Sequence, residues 1–148
     1  MGSSDEEVLR RLIIQLQALE ATYQEIRSRL SLIDAALSEI SVASSTLKGI
    51  KTLDNNSDIL IPVGGGSFVK AKLSDSTHVI HSIGSNVSTE KAIESVQADF
   101  NNRLSDFQKI KTSLNQQLNQ ATVAISNIRN QVQQLTQRYE GEEGVRTA

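Results

Sequence analysis

The sequence predicts a mainly α protein: a long antiparallel two-helix coiled-coil hairpin with one or two central β-hairpins that assemble into an intersubunit β-barrel. Three observations carry this expectation. Residues 3–48 and 85–140 contain neither glycine nor proline, whereas "ILIPVGGGSFVKAKL" at 59–73 holds the single proline and three of the eight glycines. In both glycine-free segments the apolar residues recur at steps of three and four. Aromatic residues are 3% of the chain and apolar residues 38%, below the ~45–50% usual in soluble domains, so placement has to supply what quantity does not.

The first helix is expected over 5–50. Its seam reads Leu9, Leu12, Leu16, Leu19, Tyr23, Ile26, Leu30, Ile33, Leu37, Ile40, Ser44, Leu47, apolar at every position except Ser44. Alternating threes and fours are the a/d pattern that makes a helix supercoil about a partner. The intervening "QEIRSR" and "DAALSE" supply a wet opposite face. Ser4 with Glu7 offers a capping box at the start, and Gly49 a place to stop.

The second helix is expected over 89–140. Ile93, Phe100, Phe107, Leu114, Ala121, Ile128 and Leu135 repeat every seven residues. A companion track, Val96, Leu104, Ile110, Leu118, Ile125, Val132 and Tyr139, drifts between three and four residues behind, which implies a looser seam. Ser88 or Thr89 would cap the start and Gly141 mark the end, leaving 141–148 as a flexible tail. Each rod would run roughly 70 Å, and neither is stable with its apolar stripe in water. Matched lengths around a compact middle favour one antiparallel hairpin over parallel pairing with another chain.

The middle, 54–88, is punctuated as β-structure. "DILIPV" and "SFVKAKL" flank "GGG", a hairpin signal in which glycine supplies the positive φ of a tight turn. "SDST" is a second turn, "HVIHSI" a third strand, and "VST" after "GSN" a short fourth. Pro62 lacks a ladder donor and belongs at an edge. Such hairpins cannot stand alone. Ile59, Ile61, Val63, Phe68, Val69, Ala71, Leu73, Val79, Ile80 and Ile83 therefore need a cover, and the same element of another subunit is the economical one. The whole chain reads as a single domain built for oligomerisation.

Helix, β-hairpins, helix is the layout of prefoldin subunits, and at "ILIPVGGGSFVKAKL" the chain resembles the alpha class of that family, of archaeal type. "HVIHSIGSNVSTEKA" looks like the second hairpin that distinguishes alpha from beta subunits. The resemblance implies a hetero-hexamer of two alpha and four beta-type subunits, its hairpins forming a platform from which coiled coils project. It implies a holdase chaperone whose tips capture unfolded polypeptides and deliver them to a group II chaperonin without ATP, with no cofactor and in the cytoplasm.

The residues themselves give that expectation a location. The tip is formed by both chain ends, about 5–20 and 125–145. Val8, Ile13 and Ile14 are apolar yet off the seam that Leu9 and Leu12 belong to, so a two-stranded coil cannot bury them all. Val132, Leu135 and Tyr139 reach the same end from the other helix. Exposed apolar groups at a fraying tip suit a non-native chain, and several tips around one cavity multiply a weak hold. The bland alternative is that Ile13 and Ile14 only widen the helix contact. The corresponding alternative function is a structural or tethering coiled coil with no general client binding.

Other chemistries find little footing. Without cysteine there is no disulfide framework, thiolate or cysteine zinc site. Fifteen basic against seventeen acidic residues, interspersed, give no nucleic-acid footprint. No continuous apolar run approaches the roughly 18 residues of a membrane span, and "MGSSDEEVLRR" is not signal-like. His78 and His81 fall on opposite strand faces, which disfavours a shared metal. "GGGS" lacks the Lys-Ser/Thr of a phosphate loop. The Asn55 and Asn86 sequons carry no weight without a secretory signal. The Gln/Asn-rich run at 114–137 keeps its heptads and reads as a solvated helix face. A two-stranded rod offers no cleft for tuned catalysis, so no enzyme is expected.

Overall fold

The computed structural model describes residues 2–147, with side chains as far as residue 145. In chain order the elements are α1 (Ser3–Ile50), β1 (Asp58–Gly64), β2 (Ser67–Lys72), β3 (His78–Gly84), β4 (Val87–Ala92) and α2 (Ile93–Thr147). They group into two compact units. One holds the residues up to Asp34 with those from Lys109 onward; the other is Ala35–Gln108.

The ends of the helices differ from the expected ones. α1 starts at Ser3, so Ser4 and Glu7 lie inside it, and the carbonyl of Gly2 accepts from the N–H groups of Asp5 (3.0 Å) and Glu6 (3.4 Å). α2 starts at Ile93 rather than 89 because residues 87–92 are taken by β4. Its first N–H is satisfied by the carbonyl of Thr77 at 2.9 Å. At its far end α2 continues through Gly141 and Gly144 to Thr147, which corrects the expected stop at Gly141 and the expected tail over 141–148. A helical glycine costs about 1 kcal/mol relative to alanine, and that weakens a helix without ending it. Ala148 lies outside the described residues. Gly49 likewise sits within the last turn of α1.

The seam of α1 stands at every position: Ile26 and Ile40 are buried, and the other ten are half-buried. In α2 Ile93, Val96, Leu114, Ala121 and Ile125 are buried. The drift expected in α2 disappears once exposure is followed in place of residue type. Ile110 is 44% exposed, and its neighbour Lys111 is half-buried in its place. The inward positions run 93, 97, 100, 104, 107, 111, 114, 118, 121, 125, 128, 132, 135, 139, an unbroken alternation of four and three with Gln97 and Lys111 as its polar members. Val96, fully buried beside Gln97, is an extra contribution at the start of the helix.

Within the first unit the helices are antiparallel, as two cross-helix ion pairs show. Lys111 Nζ lies 2.6 Å from Asp34 Oδ1, and Arg129 Nη2 donates to Glu20 Oε1 at 2.7 Å. In the second unit Lys51 Nζ meets Glu94 Oε1 at 3.0 Å, the same sense of pairing.

All four strands exist, in two separate antiparallel two-stranded sheets, β1–β2 and β3–β4. Both hairpins are built alike. A register shift falls between Pro62 and Gly64 in one and between Ser82 and Gly84 in the other, followed by a two-residue turn. The turn residues Gly65 (φ 59°) and Gly66 (φ 75°) match Ser85 (φ 50°) and Asn86 (φ 61°). Successive positive φ values are the backbone of a tight hairpin turn and account for the glycines of the first one. Where the chain passes between α1, the first hairpin and the second, Asn56 N–H donates to Leu73 O (2.6 Å), Leu73 N–H to Ser57 O (2.9 Å) and Ser76 N–H to Asn55 Oδ1 (2.9 Å).

Candidate functional site

Two surfaces stand out by what they leave uncovered. The first is the end of the unit that carries both chain termini. Val8 is 41% exposed, Ile13 40% and Ile14 66%, while Leu9, Leu12, Val132, Leu135 and Tyr139 are half-buried. Helix geometry explains the split. Residues on the 3–4 seam turn toward the partner helix, and Ile13 and Ile14, one and two places past Leu12, turn progressively away from it. From the Glu20–Arg129 pair, α1 runs back to Ser3 and α2 forward to Thr147, nearly equal stretches, so both helices supply the end. Val145, exposed, belongs to the same end of α2. A glycine at 141 signals a helix stop in sequence, and α2 continues past it.

The second surface is β1–β2. Cross-strand partners Ile59–Ala71 and Ile61–Val69 share one face; Asp58–Lys72, Leu60–Lys70 and Pro62–Phe68 share the other. Ile59, Ala71 and Leu73 are half-buried, but Ile61, Val63, Phe68 and Val69 are exposed, as is Leu60, which sequence reasoning passed over. Both faces of this hairpin are therefore apolar and open at its distal half. The other hairpin is different. Val79, His81, Thr89 and Lys91 on one face are half-buried against α2: the His81 and Phe100 rings meet edge to face at 6.0 Å, and Lys91 Nζ lies 3.5 Å from Asp99. Its opposite face shows Ile80, Ser82, Ser88 and Glu90 to solvent, with Ile80 73% exposed; Ile83, at the register shift, is exposed too. Each sheet has only two strands, so every strand presents an edge.

A polar cluster braces the base of the second hairpin. Asp75 Oδ1 accepts from the hydroxyl (2.6 Å) and the backbone N–H (2.8 Å) of Thr77, and Oδ2 lies 3.4 Å from His78 Nδ1. These Thr77 hydrogen bonds, with the nearby His78, hold the Asp75 carboxyl below the usual carboxylate range. Glu94 is lowered as well, first by its own backbone N–H and then by Lys51. His78 and His81 engage different partners, as their odd spacing requires. Among the described residues no group of three or more His, Asp or Glu could hold a metal. An open groove of about 720 Å³ between the helices of the first unit is lined by Glu20, Tyr23, Gln24, Thr122, Ile125 and Arg129, a seam margin occupied by its own ion pair. By length and composition alone α1 has one 18-residue window apolar enough to cross a membrane. Most of its large apolar residues belong to the seam stripe described above, while Val8, Ile13, Ile14, Leu32 and Val42 are exposed off it.

Comparison with known proteins matches this layout. The family model described as prefoldin subunit aligns with residues 19–138. Prefoldin subunit alpha of Methanopyrus kandleri is 30% identical over 113 residues, covering 76% of this chain and 72% of its own. Prefoldin subunit alpha of Methanococcus vannielii is 30% identical over 127 residues, 86% of this chain and 85% of its own. Among solved structures, a chain of filamentous prefoldin from Methanocaldococcus jannaschii superposes with a TM-score of 0.66 at 23% identity, over 78% of this chain and 95% of its own. The prefoldin beta subunit from Thermococcus strain KS-1 gives 0.57 at 13% identity, over 85% and 90%. With two long helices around two small antiparallel hairpins, and with relatives of this extent, the chain belongs to the prefoldin subunit family, a family of chaperone components, and is similar over most of its length to alpha subunits of that family.

Proposed function

We propose that this chain is the alpha-type subunit of an ATP-independent holdase in the cytoplasm. Its hairpins join beta-type subunits in a hetero-hexamer of two alpha and four beta chains. Its helix tip captures unfolded polypeptides and delivers them to a group II chaperonin, with no cofactor taking part. The single observation that carries the client half of this reading is the exposure of Ile14, Val8 and Ile13 beside a half-buried Leu9, Leu12, Val132, Leu135 and Tyr139. A monomer has nothing to gain from leaving these apolar groups in water, whereas a chain displaying its own core residues can cover them. The assembly half rests on Ile61, Val63, Phe68 and Val69, which are open to solvent, and on Ile59, Ala71, Leu73, Val79, Ile80 and Ile83 around them.

The test is suppression of light scattering when a denatured protein is diluted into the chain assembled with a beta-type partner. Trimming residues 1–12 and 138–148, which removes Val8, Leu9, Leu12 and Tyr139, should leave the mass of the complex close to that of the untrimmed one and weaken the suppression. A tethering coiled coil predicts the opposite pattern: no suppression by the intact complex, and none to lose on trimming.

A further inference from the structure

The apolar seam does not by itself define how the two helices are aligned. Its a and d positions are filled in nearly every heptad of both helices, so sliding α2 along α1 by seven residues would again set apolar residue against apolar residue. The connecting hairpins tie the base, where Lys51 meets Glu94 at 3.0 Å; within the first unit, alignment is left to the charged residues beside the seam. We propose that Lys111 and Arg129 on α2, read against Glu20, Arg27 and Asp34 on α1, are the register determinants of the helix pair and the positioning residues of its tip. The inference concerns geometry, and it stands whether or not the tip holds clients.

Glu20, Arg27 and Asp34 occupy the same heptad position on three successive heptads of α1, each directly following a seam residue (Leu19, Ile26 and Ile33). In the observed register Lys111, itself an inward position, meets Asp34 at 2.6 Å, and Arg129 meets Glu20 at 2.7 Å. Move α2 one heptad toward the start of α1, and Lys111 comes level with Arg27 while Arg129 comes level with Ile13. Move it one heptad the other way, and Arg129 meets Arg27 while Lys111 meets Ser41. Either slip breaks both ion pairs and sets a cation against Arg27. The guanidinium of Arg27 stands 6.0 Å from the Tyr23 ring centre on its own helix, which keeps it in that position. A cation among apolar seam residues lowers stability relative to leucine and raises specificity, a known trade in coiled coils. Lys111 stands where a strict heptad would favour an apolar residue, and the adjacent Ile110 is turned outward.

The consequence lies at the end of the pair. Ser3 and Thr147 lie at nearly equal distances along the helices from the Glu20–Arg129 pair, so the observed register finishes both helices level. A one-heptad slip would offset them by about 10 Å, leaving one helix to overhang the other.

Because the chain has no cysteine, spin labels can be placed cleanly at Gln17→Cys and Gln133→Cys, exposed positions on the two helices, and their separation measured by pulsed dipolar spectroscopy in the full chain. The parent should give one narrow distance. Arg27→Glu combined with Asp34→Arg makes the observed register repulsive at Lys111 and the slipped one attractive; a second population, displaced by an axial offset of about 10 Å, is expected. Lys111→Leu should melt at a higher temperature than the parent and show a broader distance distribution. Because this second variant gains stability, misfolding of the charge exchange would not obscure the outcome. One narrow, parent-like distance in both variants would overturn the proposal. Client capture is measured separately, so its failure in the parent would bear on the holdase reading alone.

Discussion

Asp75 shows how much a single carboxylate contributes at the base of the second hairpin. It accepts two hydrogen bonds from Thr77 and faces His78, and these lower its affinity for a proton in the folded chain. A depressed folded pKa gives stability that is present above the unfolded pKa and lost as pH falls through the folded one. Glu94, lowered by its own N–H and by Lys51, acts in the same sense. Stability should therefore decline with acidification below about pH 4, where carboxylates ordinarily protonate. Asp75→Asn should lower the urea midpoint at pH 7 and have a smaller effect at pH 3; an equal loss at both pH values would refute the assignment. None of this was legible in the sequence beyond "SDST" as a turn, because the cluster depends on side-chain rotamers within that turn. What was legible for single residues came from parity: the spacing of His78 and His81 separates them onto opposite faces, and each finds its own partner.

Among the elements, the helix seams were the most legible feature and also the place of an instructive departure. All twelve α1 positions turn inward, and so do Ile93, Phe100, Phe107, Leu114, Ala121, Ile128 and Leu135 of α2. Spacing succeeded there because a two-helix contact enforces one period over its whole length. Residue type points to Ile110 as the seam residue, whereas the period points to Lys111, and it is Lys111 that turns inward and meets Asp34. The hairpins were legible through their turn residues, yet β4 proved longer than "VST", since Glu90, Lys91 and Ala92 have weak strand preference. They pair with β3, whose His81 ring meets Phe100 of α2. The contrast between Ile110 and Leu114 is measurable. Leu114→Ala, at a position 6% exposed, should cost about 2–4 kcal/mol in unfolding free energy. Ile110→Ala should stay within about 0.5 kcal/mol, as surface changes do. Chemical denaturation of both variants settles the inward face of α2 independently of any ion pair.

For the molecule as a whole, the decisive quantity is how much surface stays in water. The chain exposes 10659 Å² at 16.2 kDa, whereas a compact monomer of that mass exposes about 7,500 Å². Seven apolar side chains count as buried among the described residues, and all lie in or beside the helix seam. Nothing comparable closes over β1–β2, where Ile61 and Val69 face one way and Leu60 and Phe68 the other, each close to half exposed or more. A two-stranded sheet with both faces open is unstable alone, and in the proposed assembly a second protein component covers it at this hairpin. A stable attachment of standard size buries on the order of 1,600 Å² in total, about 800 Å² of it on each partner, so this chain's share of one such attachment is roughly a quarter of the excess noted above. It follows that Ile61→Ser with Val69→Ser should abolish the complex with a beta-type partner, read as a fall to the mass of the separate chains by light scattering on a sizing column. The helical circular dichroism signal should persist, because the seam is untouched. Ile13→Ser with Ile14→Ser should do the reverse, leaving the mass unchanged and weakening the grip on denatured protein. If the hairpin variant still assembled at full mass, the open sheet would lose its role as the joining surface, and the uncovered faces of the hairpin would need another occupant.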